Sequence, residues 1–364
     1  MFGRLVLWFG AAIICSAAIR ILLVLDLNKR VYNHVPGSCR PVAGPKNGAE
    51  DIELLPDGTA FISSEFIGLN DNDRGHLTGK IFVYKFRTNQ TEFRAEPLKI
   101  EAPTVDLSGF NPLGLSSFVK PDGQVLLYVI NLPVEGPRIE VFQYQKSKKS
   151  LLHLRTIQDI LINSPNNLVV VGEDKFFVTN SNYFTNRFLV VYVETLLLLN
   201  LGSVVYFDGQ KATIADSWLS GPNGIAVDPK RQYLYLSLLW EESIRIYKIK
   251  SDFSIEQHSE MNLLTSPDNL YVDPRTGDLW AAAHMVIHQL MKHMCEPDKS
   301  IAPSQVLRIR MQDDHKSWII TEAFSDDGRI LSGSSASVYY RNQTLIGSIH
   351  HKLLHCFVDN LEFT

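Results

Sequence analysis

The sequence lacks both a strong excess of charge and an internal linker. Its 35 Lys and Arg residues stand against 39 Asp and Glu residues, and the net charge of −4 gives no electrostatic case for binding nucleic acid. No long low-complexity or Pro/Ser-rich stretch follows the first 45 residues or so, and 45% of the 364 residues are hydrophobic. We therefore predict a single folded domain, residues 31–364, behind an N-terminal segment, residues 1–30.

Cysteine is also scarce, with only four residues in the chain. Cys15 lies in an apolar segment, Cys39 and Cys356 lie near the two ends of the folded part, and Cys295 is left over. A bond between Cys39 and Cys356 would close a loop of about 300 residues and stabilise the fold by roughly 4–5 kcal/mol in the chain-entropy model. Four reduced thiols in the cytosol are the alternative, which the apolar N-terminal segment disfavours.

The N-terminal segment is the longest apolar run, and it extends from Leu5 to Leu25, interrupted only by Ser16 and Arg20. A span of the bilayer takes about 20 apolar residues, whereas the apolar part of a secretory signal takes about 7–15. The part before Arg20 also fits a cleaved signal peptide. Because the apolar run continues past Arg20, we predict a retained transmembrane signal-anchor helix.

Two N-x-[ST] sequons, at Asn89 and Asn342, predict glycosylation sites. Glycosylation takes place on the lumenal side of the secretory pathway, so we expect the folded domain to be lumenal or extracellular. The membrane would be that of the endoplasmic reticulum or the cell surface, and the sequence does not distinguish them.

Short strands separated by turn signals such as "PDG", "DPK" and "DPRTGD" fill the rest of the chain. A polar site followed by a short apolar run, a turn and a second alternating run recurs along it. This repeat predicts an all-β fold, a six-bladed β-propeller. A pair of β-sandwiches is the alternative, but it would not explain the recurrence. The recurring landmarks lie near Glu50, Asn111, Asn166, Asn223, Asp268 and Ser335.

Oxygen-bearing side chains stand at the recurring position in several repeats. In a propeller the innermost strand of every blade begins at the central tunnel, so these side chains would meet there. Carboxylates brought together in a low-dielectric tunnel need a cation, because repulsion and desolvation otherwise force them to take up protons. Carboxylate and amide oxygens without any soft ligand indicate calcium. The side chains are Glu50-Asp51, Asn166-Asn167, Asn223 and Asp268-Asn269.

Several stretches closely resemble the serum paraoxonase/arylesterase family, among them "EDIELLPDGTAFISS", "FNPLGLSSF", "PNGIAVDP", "PDNLYVDPRTGDLW" and "LIGSIHHKLLHC". The resemblance covers residues 36–356 in order. It implies a six-bladed propeller with two calcium ions in its tunnel, an uncleaved N-terminal hydrophobic helix, and hydrolysis of lactones and aryl esters. It also implies a disulfide between Cys39 and Cys356.

The resemblance implies two sets of calcium ligands. Those of the ion at the mouth of the active site would be Glu50, Asn166, Asn223, Asp268 and Asn269. The second, structural ion would be held by Asp51, the backbone carbonyl of Leu115, and Asn167. The family has an aspartate in place of Asn167, so this chain removes one negative charge from that shell, which should weaken the second ion's binding.

The catalytic positions depart from the family pattern. The histidines of the family's "NPHG" and "NHP" motifs, which form its proposed water-activating dyad, are replaced here by Leu113 and Leu132. The family's "TNDHYF" reads "TNSNYF", which gives Ser181 and Asn182. Leucine neither accepts a proton nor donates a hydrogen bond, so the base and its partner are both absent. This combination predicts a site that no longer turns over.

Two histidines, a pair of histidines at helical spacing and an apolar run are further functional candidates. His284 and His351 persist at family positions, but a lone histidine near a strand end is more often structural than catalytic. His284 and His288 have the spacing of a shared transition-metal site, although a short helix or loop is the simpler interpretation. The apolar run of residues 188–202 is too short to span a bilayer, and we expect an interfacial helix or a docking face.

Two hypotheses of function follow from these observations. In the first, the chain is a calcium-binding pseudoenzyme that acts as a chaperone, assembly or accessory factor for membrane proteins. It is then similar to the membrane-bound paraoxonase-like proteins that assist degenerin-type sodium channels, and its partners would be ion channel subunits. In the second, it is a calcium-dependent arylesterase/lactonase with a small-molecule ester or lactone as substrate.

Overall fold

The structure, a computed structural model, describes residues 2–65, 78–88, 90–185, 190–195, 197 and 199–359. These residues form six β-sheets around a central tunnel, which confirms the predicted all-β six-bladed propeller with an N-terminal apolar helix. The first blade consists of β2 (Ile52–Leu54), β3 (Thr59–Ser64), β4 (Lys80–Lys85) and β5 (Glu96–Pro97). The second consists of β6 (Lys99–Glu101), β7 (Pro112–Val119), β8 (Val125–Asn131), β9 (Arg138–Gln145) and β10 (Ser150–Ile157). The third consists of β11 (Pro165–Gly172), β12 (Lys175–Asn180), β13 (Gly202–Phe207) and β14 (Ala212–Leu219).

The last three blades repeat this plan, and two of them also contain a short helical segment. A 3₁₀ turn, Leu239–Glu241, lies in the fourth blade, and a helix, α2 (Ile287–Cys295), lies in the fifth. The fourth blade consists of β15 (Pro222–Val227), β16 (Tyr233–Leu238), β17 (Ser243–Ile249) and β18 (Ile255–Asn262). The fifth consists of β19 (Ser266–Val272), β20 (Leu279–His284), β21 (Ser304–Met311) and β22 (Trp318–Asp326). The sixth consists of β23 (Ser334–Tyr339), β24 (Gln343–Ser348) and β25 (Leu354–Phe357) with β1 (Cys39–Pro41).

The two ends of the chain close the ring. The N-terminal strand β1 pairs antiparallel with the C-terminal strand β25 and forms the outer edge of the sixth blade. Cys39 lies directly opposite Cys356 in this pairing, and a disulfide joins them, as the resemblance implies. A closed ring leaves each apolar sheet face covered by the next blade, and the buried clusters of the structure lie between neighbouring blades.

Five of the six innermost strands begin with a β-bulge. In β11, for example, Pro165 pairs with Asn180 and Leu168 with Val178, so one extra residue is accommodated on the inner strand. The same shift occurs in β7, β15, β19 and β23, whereas β2 pairs with β3 without a shift. Bulges re-aim side chains that a regular strand would turn away. We call the first bulged position of each of these five strands, together with Glu50 just before β2, the ring positions: Glu50, Leu113, Asn166, Asn223, Asp268 and Ser335.

The helix α1 (Phe2–Val24) contains the only segment in the described chain that is long and apolar enough to cross a membrane, Gly3–Leu23. No part of that segment is buried against the propeller. This makes α1 a candidate signal anchor.

The residues after α1 are fixed to the fourth and fifth blades. Asp26 is 1% exposed and its carboxylate accepts a hydrogen bond from the backbone N–H of Ile287 at 3.1 Å, at the start of α2. Lys29 forms ion pairs of 2.7 Å with both Asp26 and Glu242. The backbone carbonyl of Leu25 accepts a bond of 2.7 Å from His288. The anchor therefore leaves from the face at which the innermost strands begin, which we call the tunnel-mouth face.

The two predicted glycosylation sites have different outcomes. Asn89 lies outside the described residues. Asn342 is exposed in the turn between β23 and β24, where its side-chain oxygen accepts a hydrogen bond from the Tyr339 hydroxyl at 2.8 Å. This turn lies on the face opposite the tunnel mouth. An exposed turn is accessible to modification, and glycosylation stays a prediction.

Loss of the disulfide tests the importance of ring closure. We expect Cys39→Ala with Cys356→Ala to lower the free energy of unfolding by about 5 kcal/mol, because the bond spans 317 residues of sequence. Thermal unfolding of the full chain in detergent measures the effect. Cys295→Ser is the matched control, since Cys295 is an exposed free thiol. Equal stability of the double variant and the control would contradict the expectation.

Candidate functional site

The ring positions lie at the mouth of the tunnel because adjacent innermost strands approach closely there. A side chain at Gly224 would place its Cβ 2.4 Å from the Asp268 carbonyl oxygen and 2.6 Å from the Asn269 Cα. Gly114 stands equally close to the backbone of Asn166 and Asn167. Only glycine permits this approach, which brings the side chains of neighbouring blades together.

Four ring positions present side-chain oxygens that are buried and without a hydrogen-bond partner within the described part of the chain. Leaving a buried acceptor unsatisfied costs about 1–3 kcal/mol, so four would cost on the order of 4–12 kcal/mol, comparable to the whole stability of a domain. A ligand that contacts all four would remove this cost. The atoms are Glu50 Oε2, Asn166 Oδ1, Asn223 Oδ1 and Asp268 Oδ1.

The electrostatics of these groups favour a cation. Burial, followed by the charges of Asp268 and Asp51, raises the pKa of Glu50 well above its usual value. Burial also raises the pKa of Asp51 to about 6. Without a positive charge nearby, burial thus favours the protonated forms of Glu50 and Asp51. The donor set of two carboxylates and two amides, all oxygens, fits a calcium ion.

The residues of the predicted second calcium site have a different environment. Both oxygens of Asp51 accept hydrogen bonds: Oδ1 from the Ile52 N–H at 2.8 Å, and Oδ2 from the Leu115 N–H at 2.7 Å. The side-chain amide of Asn167 donates to the same Oδ2 at 3.2 Å and also to Asn269 Oδ1. These groups, unlike the four ring oxygens, have hydrogen-bond partners within the protein.

Asn269 belongs to this satisfied group, although the resemblance implies that it is a ligand of the first ion. Its oxygen accepts from Asn167, and its amide nitrogen donates to the backbone oxygen of Glu50 at 3.0 Å and to Glu50 Oε1 at 3.4 Å. In this arrangement Asn269 holds Glu50 in place.

Ser335 and Leu113 complete the ring, and the sequence repeat did not predict their roles. Ser335 donates its hydroxyl to the backbone oxygen of Glu50 at 2.8 Å. In the second blade the sequence landmark was Asn111, whereas the structure has Leu113 at the ring position. The difference of two residues could have been found from "NPLG", since the other bulges also follow a proline, as in "SPNN" and "GPNG".

The leucines that replace the family's dyad are packed as hydrophobic residues. Leu113 is 6% exposed and belongs to a core cluster that includes Tyr128 and Ile130, and Leu132 packs against the same cluster. Of the other replaced positions, Ser181 donates its hydroxyl to the Pro222 backbone oxygen at 2.8 Å. These three side chains serve the packing of the propeller.

The two persisting histidines differ in their surroundings. His284 is 2% exposed, and its Nε2 lies 2.8 Å from Asp268 Oδ2, so it contacts a residue of the ring. His351 accepts the Ser332 N–H at Nδ1, at 2.9 Å, and burial lowers its pKa to about 4. His351 is therefore neutral at physiological pH, with one ring nitrogen already occupied.

The spacing of His284 and His288 does not make a transition-metal site. His284 lies on β20 and contacts Asp268, whereas His288 lies on α2 and donates to the Leu25 carbonyl. Among the described residues, no group of three or more His, Cys, Asp or Glu side chains has the geometry for a metal. The simpler interpretation, a short helix, is confirmed as α2.

The apolar run of residues 188–202 is described in part. Val190–Thr195 forms a π-helical turn, in which Glu194 is buried and accepts the backbone N–H groups of Tyr183 at 2.8 Å and Phe184 at 3.1 Å. Leu197 is exposed on the same connection. The residues 186–189, 196 and 198 lie outside the described part, so an interfacial role stays a proposal.

Known proteins are similar to this chain in sequence and in fold. A family model described as Arylesterase matches residues 30–358. Mechanosensory abnormality protein 6 of Caenorhabditis elegans is 37% identical over 97% of this chain and 95% of its own length. Rabbit (Oryctolagus cuniculus) serum paraoxonase/lactonase 3 is 34% identical over 88% and 89%. The aldose sugar dehydrogenase of Streptomyces coelicolor superposes with a TM-score of 0.53 at 12% identity, covering 90% of this chain and 99% of its own, which reflects the fold alone.

A side chain at Gly224 tests the close approach of the inner strands. We expect Gly224→Ala to lower the free energy of unfolding by about 3 kcal/mol, because the added Cβ meets backbone atoms that have little freedom to move. Gly172→Ala is the matched control, since its Cβ would lie 3.5 Å from the nearest atom, in the flexible Lys175 side chain. Chemical denaturation of both variants measures the difference, and similar losses in the two would contradict the interpretation.

Proposed function

Since the chain belongs to the arylesterase family of paraoxonases, we propose that it is a membrane-anchored, calcium-binding member that has lost catalysis and acts by binding membrane proteins. The single observation that carries this proposal is the composition of the ring. Four of its positions supply unsatisfied oxygens, and the position beside them, where the family pattern has a histidine, supplies a buried leucine.

The calcium ion would be held by Glu50, Asn166, Asn223 and Asp268, one residue from each of four blades. When bound, such an ion supplies a positive charge that can polarise a carbonyl oxygen. In this chain its main contribution would be structural, because it connects blades that are far apart in sequence. The neighbouring groups of Asn269 and Ser335 keep Glu50 oriented towards the others.

The absence of catalysis is supported by the packing of the replaced dyad. General acid–base catalysis contributes roughly 10²–10⁴-fold to rate, and it requires a titrating group within hydrogen-bond reach of the proton it moves. Leu113 and Leu132 supply no such group, because both side chains are hydrocarbon and pack in the same hydrophobic cluster.

The membrane and partner assignment is supported by the tunnel-mouth face. The anchor leaves from this face, and Lys29 and Asp26 hold the exit fixed. Large apolar side chains are exposed on the same face, most of them on the connections between strands and one, Trp218, near the end of β14. We therefore propose that this face lies against the bilayer, where a membrane-protein partner such as an ion channel subunit would meet it. The exposed side chains are Val134, Ile160, Tyr183, Leu197, Trp218, Leu264, Met291, Met294, Ile301 and Ile330.

A chaperone or assembly role agrees with two further points. One relative carries a name that refers to a mechanosensory abnormality rather than to an enzyme activity. The disulfide and the anchor suit a protein whose folded domain is in the lumen or outside the cell, at the endoplasmic reticulum or the plasma membrane.

The alternative is a calcium-dependent arylesterase or lactonase that uses His284 as its base. The observation in its favour is the contact of 2.8 Å between His284 and Asp268, beside the ring. An imidazole oriented by a carboxylate is a common catalytic arrangement. Against it, the Nε2 atom of His284 is already occupied by Asp268, which is itself one of the proposed calcium ligands.

Hydrolysis assays distinguish the two functions. We expect the purified full chain to hydrolyse phenyl acetate and a lipophilic lactone no faster than buffer, because no base stands at positions 113 and 132. Initial rates with calcium and with a chelator measure this. Calcium-dependent turnover that disappears in His284→Gln would overturn the proposal in favour of the alternative.

Calcium removal tests the metal part of the proposal separately. We expect chelation to lower the Tm by several degrees, because a ligand at 100 times its Kd stabilises a fold by about 2.7 kcal/mol. Glu50→Gln should lose most of this response. Glu53→Gln is the matched control, because Glu53 accepts its hydrogen bonds from Ser117 rather than facing the ring oxygens. An unchanged Tm in calcium and in chelator would contradict a structural calcium ion.

A further inference from the structure

Asn167 lies at the second bulged position of the third blade, next to the ring residue Asn166. It is 4% exposed and stands between Asp51 of the first blade and Asn269 of the fifth. Its side chain thus joins segments separated by 116 and 102 residues. The question is which of its two side-chain atoms faces these neighbours.

The orientation of the Asn167 amide is determined by its own strand. The backbone N–H of Leu168 points to the side chain of Asn167 at 2.6 Å and requires an acceptor, so the atom there is Oδ1. Asp51 shows the same local arrangement, with the Ile52 N–H donating to its Oδ1 at 2.8 Å. The nitrogen of Asn167 must therefore face the other way, towards Asp51 and Asn269.

Both hydrogens of this nitrogen have acceptors. One is Asp51 Oδ2 at 3.2 Å, and the other is Asn269 Oδ1. Asp51 Oδ2 also accepts the Leu115 N–H at 2.7 Å. The Asp51 carboxylate thus receives three N–H groups, which offset part of the cost of burying its charge. The four ring oxygens, in contrast, have no hydrogen-bond partner in the described part of the chain.

We propose that the Asn167 amide takes the place of a second cation, so that this chain binds one calcium ion at the ring and none at Asp51. The inference rests on the proposed calcium site at the ring and specifies how many ions the tunnel holds. An aspartate at position 167 would put an oxygen where the nitrogen is now, about 3.2 Å from Asp51 Oδ2. Two carboxylate oxygens at that distance repel each other unless a cation lies between them. The single substitution is thereby the difference between a one-ion and a two-ion tunnel.

The experiment counts calcium ions in the full chain, purified in detergent, after equilibrium dialysis against calcium and removal of loosely bound ions. We expect one calcium per wild-type chain and two per chain of Asn167→Asp, measured by plasma emission spectroscopy. The variant should also have a lower Tm than wild type in chelator and a larger rise in Tm on adding calcium, by about 5 °C or more.

Asn180→Asp is the matched control. Asn180 is also a buried amide, 2% exposed, and its nitrogen donates to the Leu161 backbone oxygen at 2.7 Å and to the Ser203 hydroxyl at 3.1 Å. Since no carboxylate faces it in these contacts, the same substitution there should lower the Tm equally with and without calcium. Its calcium content should stay at one.

A second variant, Asp51→Asn, keeps the test decisive if Asn167→Asp fails to fold. We expect it to retain one calcium ion, because Asp51 is not a ligand. Two ions in the wild type, loss of an ion in Asp51→Asn, or no gain of an ion in a folded Asn167→Asp would each overturn the inference. Absence of calcium from the wild type would instead overturn the proposed function, so the two failures are distinguishable.

Discussion

The convergence of six chain segments on one axis is the constraint on which the rest of this molecule depends. Five of the six innermost strands begin with a bulge, and each bulge turns one side chain towards its neighbours. Polar atoms that would be harmless on a surface are thus brought together out of water, where a charge needs a counter-charge and an acceptor needs a donor. The tunnel residues divide according to how this need is met. Some are satisfied by amide and backbone N–H groups, others have no hydrogen-bond partner in the described part of the chain, and one is a leucine.

The fold could be predicted from sequence because its signals are repeated. A polar position, an apolar run and a turn recur along the chain. Because several repeats support the same fold, an uncertain assignment in one repeat does not change the prediction. The closing disulfide and the apolar helix can also be predicted from sequence, since each depends on one conspicuous feature: a pair of cysteines near the chain ends and a long apolar run at the start.

The site was predicted less completely, for physical reasons. The residue types at the ring were recognisable, and Glu50, Asn166, Asn223 and Asp268 present unsatisfied oxygens as expected of ligands. Asn269, predicted as a fifth ligand, has its oxygen hydrogen-bonded to Asn167, which is 102 residues away in sequence, and its role in binding an ion stays a prediction. Whether an amide shows its oxygen or its nitrogen depends on the nearest backbone N–H, and a sequence does not specify that direction. The register of the second blade failed for a similar reason, since Asn111 and Leu113 both lie near the start of β7 and only strand pairing separates them.

The pairing of β1 with β25 has a mechanical consequence. The anchor and the outer edge of the sixth blade belong to the same N-terminal stretch, so tension that broke the contacts of Asp26 and Lys29 would pull on β1 from its N-terminal end. Strand pairs peel apart one hydrogen bond at a time under such a load. Here the first residue of β1 is covalently tied to the strand beside it. The disulfide therefore transmits the force to β25 at Cys356, and the hydrogen bonds between β1 and β25 do not have to bear it alone.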